Sequence, residues 1–335
     1  MLIDTAHAAP APRPARAVAA PGAVSPAARR PRAEAFRFRS SHHGARKRGT
    51  ELACLHRMQA VPQPAPIFND PLADWRLRSE PYYEAVAGEI AAFEAAHALR
   101  LPVLLKGPTG CGKTRFVEAM AWRCGKPLVT VACHEDLTAS DLVGRWLLDA
   151  DGTRWQDGPL TLAARHGAIC YLDEIVEARP DTTVVLHPLT DARRVLPLNA
   201  RNELLHAHPD FQLVVSYNPG YQGLHKTLKA STRQRFTALE FHYPDAKRET
   251  QIVMRESGAA EPLAAALVAV GERTRRLKGH GLDEGASTRM LVHAAALAGS
   301  GLDARAACLQ AIVAPLSDDP DLLSALQATV DASFA

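Results

Sequence analysis

Hydrophobic positions change their rhythm partway along this chain. Short runs that are apolar almost without interruption stand at Pro102–Lys106, Leu128–Ala132, Ala168–Leu172 and Phe211–Ser216, and a further strand is expected at Thr237–Phe241. Helical or looped segments separate them, including a helix through Phe116–Cys124. Ahead of the first run, order is expected to begin near Tyr82, where PYYEAVAGEIAAFEAAHAL sets Val86, Ile90, Phe93 and Leu99 on one helical stripe. Continuously apolar strands alternating with helices predict a parallel sheet covered on both faces. After Pro244 only helical patterns follow, at Ala246–Ser257, Glu261–Lys278, Ser287–Ala298 and Ala304–Val313. The expectation is an α/β P-loop core over residues 67–244 and a small all-α lid domain over 245–335.

Residues 1–66 show no sustained period and hold 9 of the 24 prolines. Such a segment buries too little apolar surface to offset its ordering entropy, so it is expected to be disordered, with Met58 an alternative start. Charge sharpens this division. Residues 1–66 carry 11 basic against 3 acidic residues, whereas the remainder carries 28 against 33, so the overall +3 conceals a basic tail on a mildly acidic body. That balance argues against a nucleic-acid partner. The six cysteines form no CxxC pair, which points to reduced thiols in a cytoplasmic protein. No apolar run approaches the roughly 18–20 residues of a membrane span.

The chemistry begins where the first strand ends. Gly107, Pro108, Thr109, Gly110, Cys111, Gly112, Lys113 and Thr114 fit GxxxxGK[ST], between a predicted strand and a predicted helix. Glycines let successive backbone N–H groups curl around a polyphosphate, and the helix N-terminus adds its positive end. Lys113 would reach the β and γ phosphates of ATP, and the Thr114 hydroxyl would bind Mg²⁺.

About sixty residues later, the apolar run Ala168–Leu172 ends in Asp173 and Glu174. A carboxylate there stands at the C-terminal edge of the sheet, where open α/β sheets bind ligands. Asp173 is the expected second Mg²⁺ holder and Glu174 the base that orients and deprotonates the attacking water. Taken alone, an apolar run ending in acids is usually a solvated strand end; the phosphate loop upstream changes that reading. Phe211–Ser216 leads to Asn218, whose amide can bond both water and γ-phosphate, or serve only the turn that Asn-Pro-Gly makes.

Positive charge is still needed for the γ-phosphoryl group as it departs. Arg233 and Arg235, in STRQRF, are candidates for a finger supplied to a neighbouring subunit, and Arg289, beginning a helix after Ser287, for a cation from the same chain. The bland reading of STRQRF is a solvated basic turn. His187 and His225 are read as structural or exposed.

From roughly Tyr82 to Phe334 the chain resembles the CbbQ and NorQ branch of the MoxR clade of AAA+ ATPases. The stretches that carry the likeness are LKGPTGCGKTRFVE, MAWRCGKPLVTVAC, LTASDLVGRW, GTRWQDGPLT, GAICYLDEIVEAR, TTVVLHPLTD, HPDFQLVVSYNPGYQ, STRQRF and GHGLDEGASTR. The resemblance implies a ring, usually a hexamer, with ATP between subunits. It implies that Asp141–Leu160 is the clade's helix-two insertion facing the pore, and that Thr190–Glu203 is a hairpin before the sensor strand. It puts the finger best on Arg235, with Arg233 beside it, and the second sensor on Arg289. It further implies a partner with a von Willebrand A domain and one of two clients, Rubisco or nitric oxide reductase. LLDADGTRWQDGPLTLAARHGAI and LKGHGLDEGASTR look closer to the Rubisco activase side. The N-terminal tail departs from both patterns. An ATP-dependent assembly switch is the reading from another class, and Glu174 argues against it, since a pure switch need not keep a water-activating acid.

Overall fold

The computed structural model describes residues 70–150, 152–219 and 228–334. The expectations for residues 1–66, Met58 and His225 lie outside the described residues. Among the described residues the strands are β1 (Val103–Lys106), β2 (Leu128–Ala132), β3 (Gly144–Asp149), β4 (Gly152–Asp157), β5 (Ile169–Asp173), β6 (Val195–Leu198), β7 (Glu203–His206), β8 (Gln212–Tyr217) and β9 (Thr237–Glu240). Five of them form the expected parallel sheet, in the order β2-β5-β8-β1-β9.

Alternation along each strand builds the two covered faces. Val103 and Leu105 of β1, with Ile169 and Tyr171 of β5, pack against helices Glu89–Ala98 and Lys113–Arg123. Leu104, Cys170 and Leu172 point the other way, into a cluster that takes in Leu160 and Ala163 of helix Pro159–His166. Phe116 anchors the first face. Fully buried, its ring lies 5.6 Å from Phe93, 5.4 Å from Tyr83 and 5.1 Å from Phe241, which fixes the helix that leaves the phosphate loop.

The helical stripe expected from Val86 to Leu99 is corrected. The helix runs only from Glu89 to Ala98, because Glu89 turns its carboxylate back onto the N–H groups of Val86 and Ala87, both at 2.7 Å. Phe93 is buried, whereas Leu99 is 69% exposed beyond the helix end. Order also begins earlier than Tyr82: Leu72 is 1% exposed and joins the second cluster. The Asp141–Leu160 segment is mainly an antiparallel hairpin, β3 with β4, preceded by the short helix Ala139–Val143. Thr138 and Asp141 close a reciprocal capping box at that helix's start. Trp146 and Trp155 face each other across the hairpin, which explains why so exposed a ribbon holds its register. The hairpin expected within Thr190–Glu203 is β6 with β7 and extends to His206.

From Ala246 onward the described chain is helical, apart from one isolated bridge between Lys278 and Leu282. The expected helices appear at Ala246–Ser257, Glu261–Arg276 and Thr288–Gly299, and a continuous helix from Ala304 to Leu316 contains a π segment at Leu309–Val313. A further helix, Pro320–Asp331, was not read from the pattern; Asp319 caps it and Leu326 and Val330 bury it. These helices gather around their own apolar cluster, including Val253, Leu267, Leu291 and Ile312. Among the described residues no helix is long and apolar enough to cross a membrane.

Candidate functional site

Sheet order decides what meets at the site. β8 lies between β1 and β5, so the loop after β1, the acids ending β5 and Asn218 after β8 rise side by side at the C-terminal edge. The loop after β1 is drawn tightly over β9. A side chain at Gly107 would place its Cβ 2.5 Å from the Phe241 carbonyl, and Gly112 has φ +100°, where glycine is favoured. Helix Lys113–Arg123 starts directly after that glycine.

Lys113 is buried, and its ammonium donates to the carbonyls of Gly107 and Pro108, both at 2.8 Å. Two neutral acceptors are a weak match for a buried cation, so this group can turn to an anion that enters the loop. Thr109 is tied on both sides, its hydroxyl accepting from Asn218 at 3.1 Å and its carbonyl from the Tyr243 hydroxyl at 2.9 Å. Cys111 joins the apolar cluster, and burial pushes its thiol pKa up, against the opposing pull of Lys113. Its part in the loop is therefore that of the backbone.

Thr114 Oγ1 and Asp173 Oδ2 face each other at 3.5 Å. Asp173 is held by groups the motif does not include. The hydroxyls of Tyr171 and Ser216 donate to its Oδ1 at 2.6 and 2.5 Å. Ser216 also accepts the Glu174 N–H at 3.1 Å. Glu174 sits at φ 54°, ψ 51°, a left-handed conformation uncommon for a residue with a side chain and often found at functional sites. Its carboxyl pKa is raised, first by burial and then by the Asp173 charge, with Lys113 and Arg289 pulling the other way.

A cleft of about 620 Å³, within the range of small-molecule sites, lies over these groups. The loop from Thr109 to Thr114, with Asp173, Glu174 and Arg289, lines it. Tyr82, Tyr83, Val86, Ile252 and Val292 also line it, an apolar and aromatic wall on which a planar base can lie. Arg233 and Arg235 are exposed and are not among the described residues lining this cleft; Arg235 donates to its own Ser231 carbonyl at 2.7 Å. The segment carrying them is tied down through Thr232, which bonds His187 at 3.1 Å, so His187 has a structural partner.

The residues present fit ATP with Mg²⁺. A buried lysine stands in a glycine loop at a helix start, and a hydroxyl faces a carboxylate as hard oxygen donors. Two such protein oxygens suit Mg²⁺, which takes few protein ligands and completes its shell with phosphates and water.

The motifs did not point to Tyr171, Ser216, Tyr243 or the aromatic wall. One signal was available: Ser216, like Gln212 at the strand's start, is a polar residue in a mainly apolar strand, every residue of which is buried.

Residues 102–236 match the AAA domain of the dynein-related subfamily, and residues 249–333 match the CbbQ/NirQ/NorQ C-terminal family. The chain is 63% identical to protein CbbQ of Hydrogenophilus thermoluteolus over 77% of its own length and 97% of the relative's. It is 60% identical to the denitrification regulatory protein NirQ of Pseudomonas aeruginosa, over 76% of this chain and 98% of that one. It is 56% identical to protein NorQ of Paracoccus denitrificans, over 76% and 94%.

Proposed function

The chain belongs to the CbbQ/NirQ/NorQ family of AAA+ ATPases and is an ATP hydrolase; on that premise we propose that it spends ATP remodelling a client protein complex, with Rubisco as the client. The observation that carries the hydrolytic reading is the meeting of Thr114, Asp173 and Glu174 beside Lys113 at the sheet edge.

In this reading Lys113 leaves the loop carbonyls for the β and γ phosphates. Thr114 and Asp173 would hold Mg²⁺, which would neutralise charge on the phosphate oxygens. Glu174 takes a proton from the water that attacks the γ-phosphorus, and the bond to the β-phosphate oxygen breaks to leave ADP. Asn218 orients that water against the phosphate. Arg289 approaches from the C-terminal helices, and Arg235 of the neighbouring subunit, with Arg233 beside it, supplies the missing cation. The exposure of both finger candidates, outside their own cleft, supports a homo-oligomeric ring, taken to be a hexamer. The protein is assigned to the cytoplasm, with no nucleic-acid partner and no membrane span.

The likeness to CbbQ supports Rubisco as client, released from inhibitory sugar phosphates together with a partner bearing a von Willebrand A domain. The likeness to NorQ supports a second reading, activation of nitric oxide reductase. A reconstitution separates them. Sugar-phosphate-inhibited Rubisco, the von Willebrand A protein and this ATPase are mixed with ATP, and carboxylation is followed. Recovery that needs ATP and is lost with Glu174→Gln supports the Rubisco reading. No recovery, with ATP-dependent activation of nitric oxide reductase in a parallel assay, replaces it.

A further inference from the structure

Asn218 is claimed by two parts of the molecule at once. Its amide nitrogen donates to Thr109 Oγ1 of the phosphate loop at 3.1 Å and to Glu284 Oε1 at 2.5 Å. An amide nitrogen carries two hydrogens, so both are spent on these acceptors. The carboxylate also decides which way the amide faces, since Oδ1 in that position would oppose a negative oxygen with another.

Glu284 is not a core residue. It stands in the loop between helices Glu261–Arg276 and Thr288–Gly299, and that loop is fastened to the first of them. Arg275 donates to the Ala286 carbonyl at 2.8 Å, and the Ala286 N–H donates to Thr274 Oγ1 at 3.0 Å. Gly285 lies so close that an added Cβ would come within 2.4 Å of the Arg275 Cα. The loop therefore moves with the C-terminal helices. The same Arg275 lies 3.8 Å over the Tyr243 ring, whose hydroxyl holds the Thr109 carbonyl. Two routes, one charged and one aromatic, thus join these helices to one residue of the phosphate loop.

We propose that Glu284 is a positioning residue, a latch that holds Asn218 toward the C-terminal helices until a γ-phosphate displaces it. The inference rests on the reading of Asn218 as the residue that meets the γ-phosphate. Two anions cannot share one amide hydrogen, and like charges placed together repel. ATP brings the competing anion to the end of β8; ADP lacks it. ATP therefore drives Glu284 away and releases the loop that leads to Arg289, whereas ADP leaves the latch closed. The nucleotide's third phosphate is in this way converted into a change in how the C-terminal helices are held.

The test is calorimetric titration of the full chain with Mg²⁺ and either ATP or ADP, in the Glu174→Gln background so that nothing turns over. Glu284→Gln keeps the shape and removes the charge. It should tighten ATP about five- to tenfold and change ADP less than about twofold, on the scale of a charge-assisted hydrogen bond replaced by a neutral one. A merely structural glutamate would move both nucleotides together, and equal shifts or none overturn the proposal. Should Glu284→Gln fail to melt cooperatively, Glu284→Asp, one methylene shorter, carries the same test in the same direction. With Asn218→Ala already present, Glu284→Gln should leave the ATP-to-ADP ratio where it is. If Asn218→Ala alters the ratio but Glu284→Gln does not, the latch fails and the sensor reading stands. If Asn218→Ala changes neither the ratio nor turnover in the otherwise wild-type protein, both fail.

Discussion

Ser216 on β8 donates its hydroxyl to Asp173 Oδ1 on the neighbouring strand at 2.5 Å, while accepting the Glu174 N–H at 3.1 Å. One small side chain thereby orients the carboxylate proposed for Mg²⁺ and fixes the backbone that aims the proposed base. Its hydrogen goes to Asp173, and a lone pair receives Glu174, so neither bond excludes the other.

Ser216→Ala is therefore expected to lower ATP turnover by about tenfold and to raise the Mg²⁺ concentration needed for half-maximal rate, the usual scale for groups that orient a metal ligand. Steady-state rates across a Mg²⁺ titration read this out. An unchanged Mg²⁺ requirement would show that Tyr171 alone suffices to hold Asp173.

The C-terminal helices depend on a buried ion pair. Glu249 is fully buried, accepts from the two terminal guanidinium nitrogens of Arg275, both at 2.7 Å, and accepts the Thr288 hydroxyl at 2.5 Å. Glu249→Ala leaves Arg275 without its partner in a mostly buried place, so denaturant unfolding should show a loss of about 3–5 kcal/mol in these helices. Glu249→Gln, which keeps the shape and one acceptor, should lose less. Equal stability of Glu249→Ala and wild type would refute the pair's role.

Acidification should act on His187. Burial, followed by the positive charges of Arg235 and Lys229, holds its pKa below the ordinary value of 6.5. The unfolded chain thus takes up the proton at higher pH than the folded one. The contribution of neutral His187 is present above 6.5 and is lost as pH falls through that value toward the lower folded pKa. Thermal melts between neutral pH and the acid side of this window should show a smaller acid-induced drop in Tm for His187→Gln than for wild type. A nuclear magnetic resonance titration of the ring should place its midpoint below that of a free histidine.

Assembly can be tested without a structure of the ring. Arg235→Ala and Glu174→Gln should each be inactive alone, yet in the proposed ring a mixture would contain interfaces where an intact Glu174 meets an intact Arg235. Those interfaces should recover measurable turnover, since an arginine supplied in trans is worth roughly 10³–10⁵ in rate in P-loop enzymes. Subunits shown to exchange, with no activity regained, would contradict Arg235 as a finger acting independently at each interface.

What could be read from the residues alone is what short stretches of chain accomplish by themselves. Eight consecutive residues from Gly107 to Thr114 carry the proposed phosphate cradle, because glycines, a helix start and a lysine act through their own backbone and reach. Apolar runs likewise announce strands, and Asp173 and Glu174 announce a sheet edge, since burial and its end are written in adjacent positions. The stripe from Val86 to Leu99 misled because Glu89 closes the helix start with its own carboxylate, a choice that periodicity does not register. The order β5-β8-β1 belongs to the tertiary structure, and with it come the partners that order creates. Ser216 lies 43 residues from Asp173, and Glu284 lies 66 from Asn218. Such pairs form only when separate elements pack, and no local pattern of polar and apolar positions specifies which strand or loop will stand alongside.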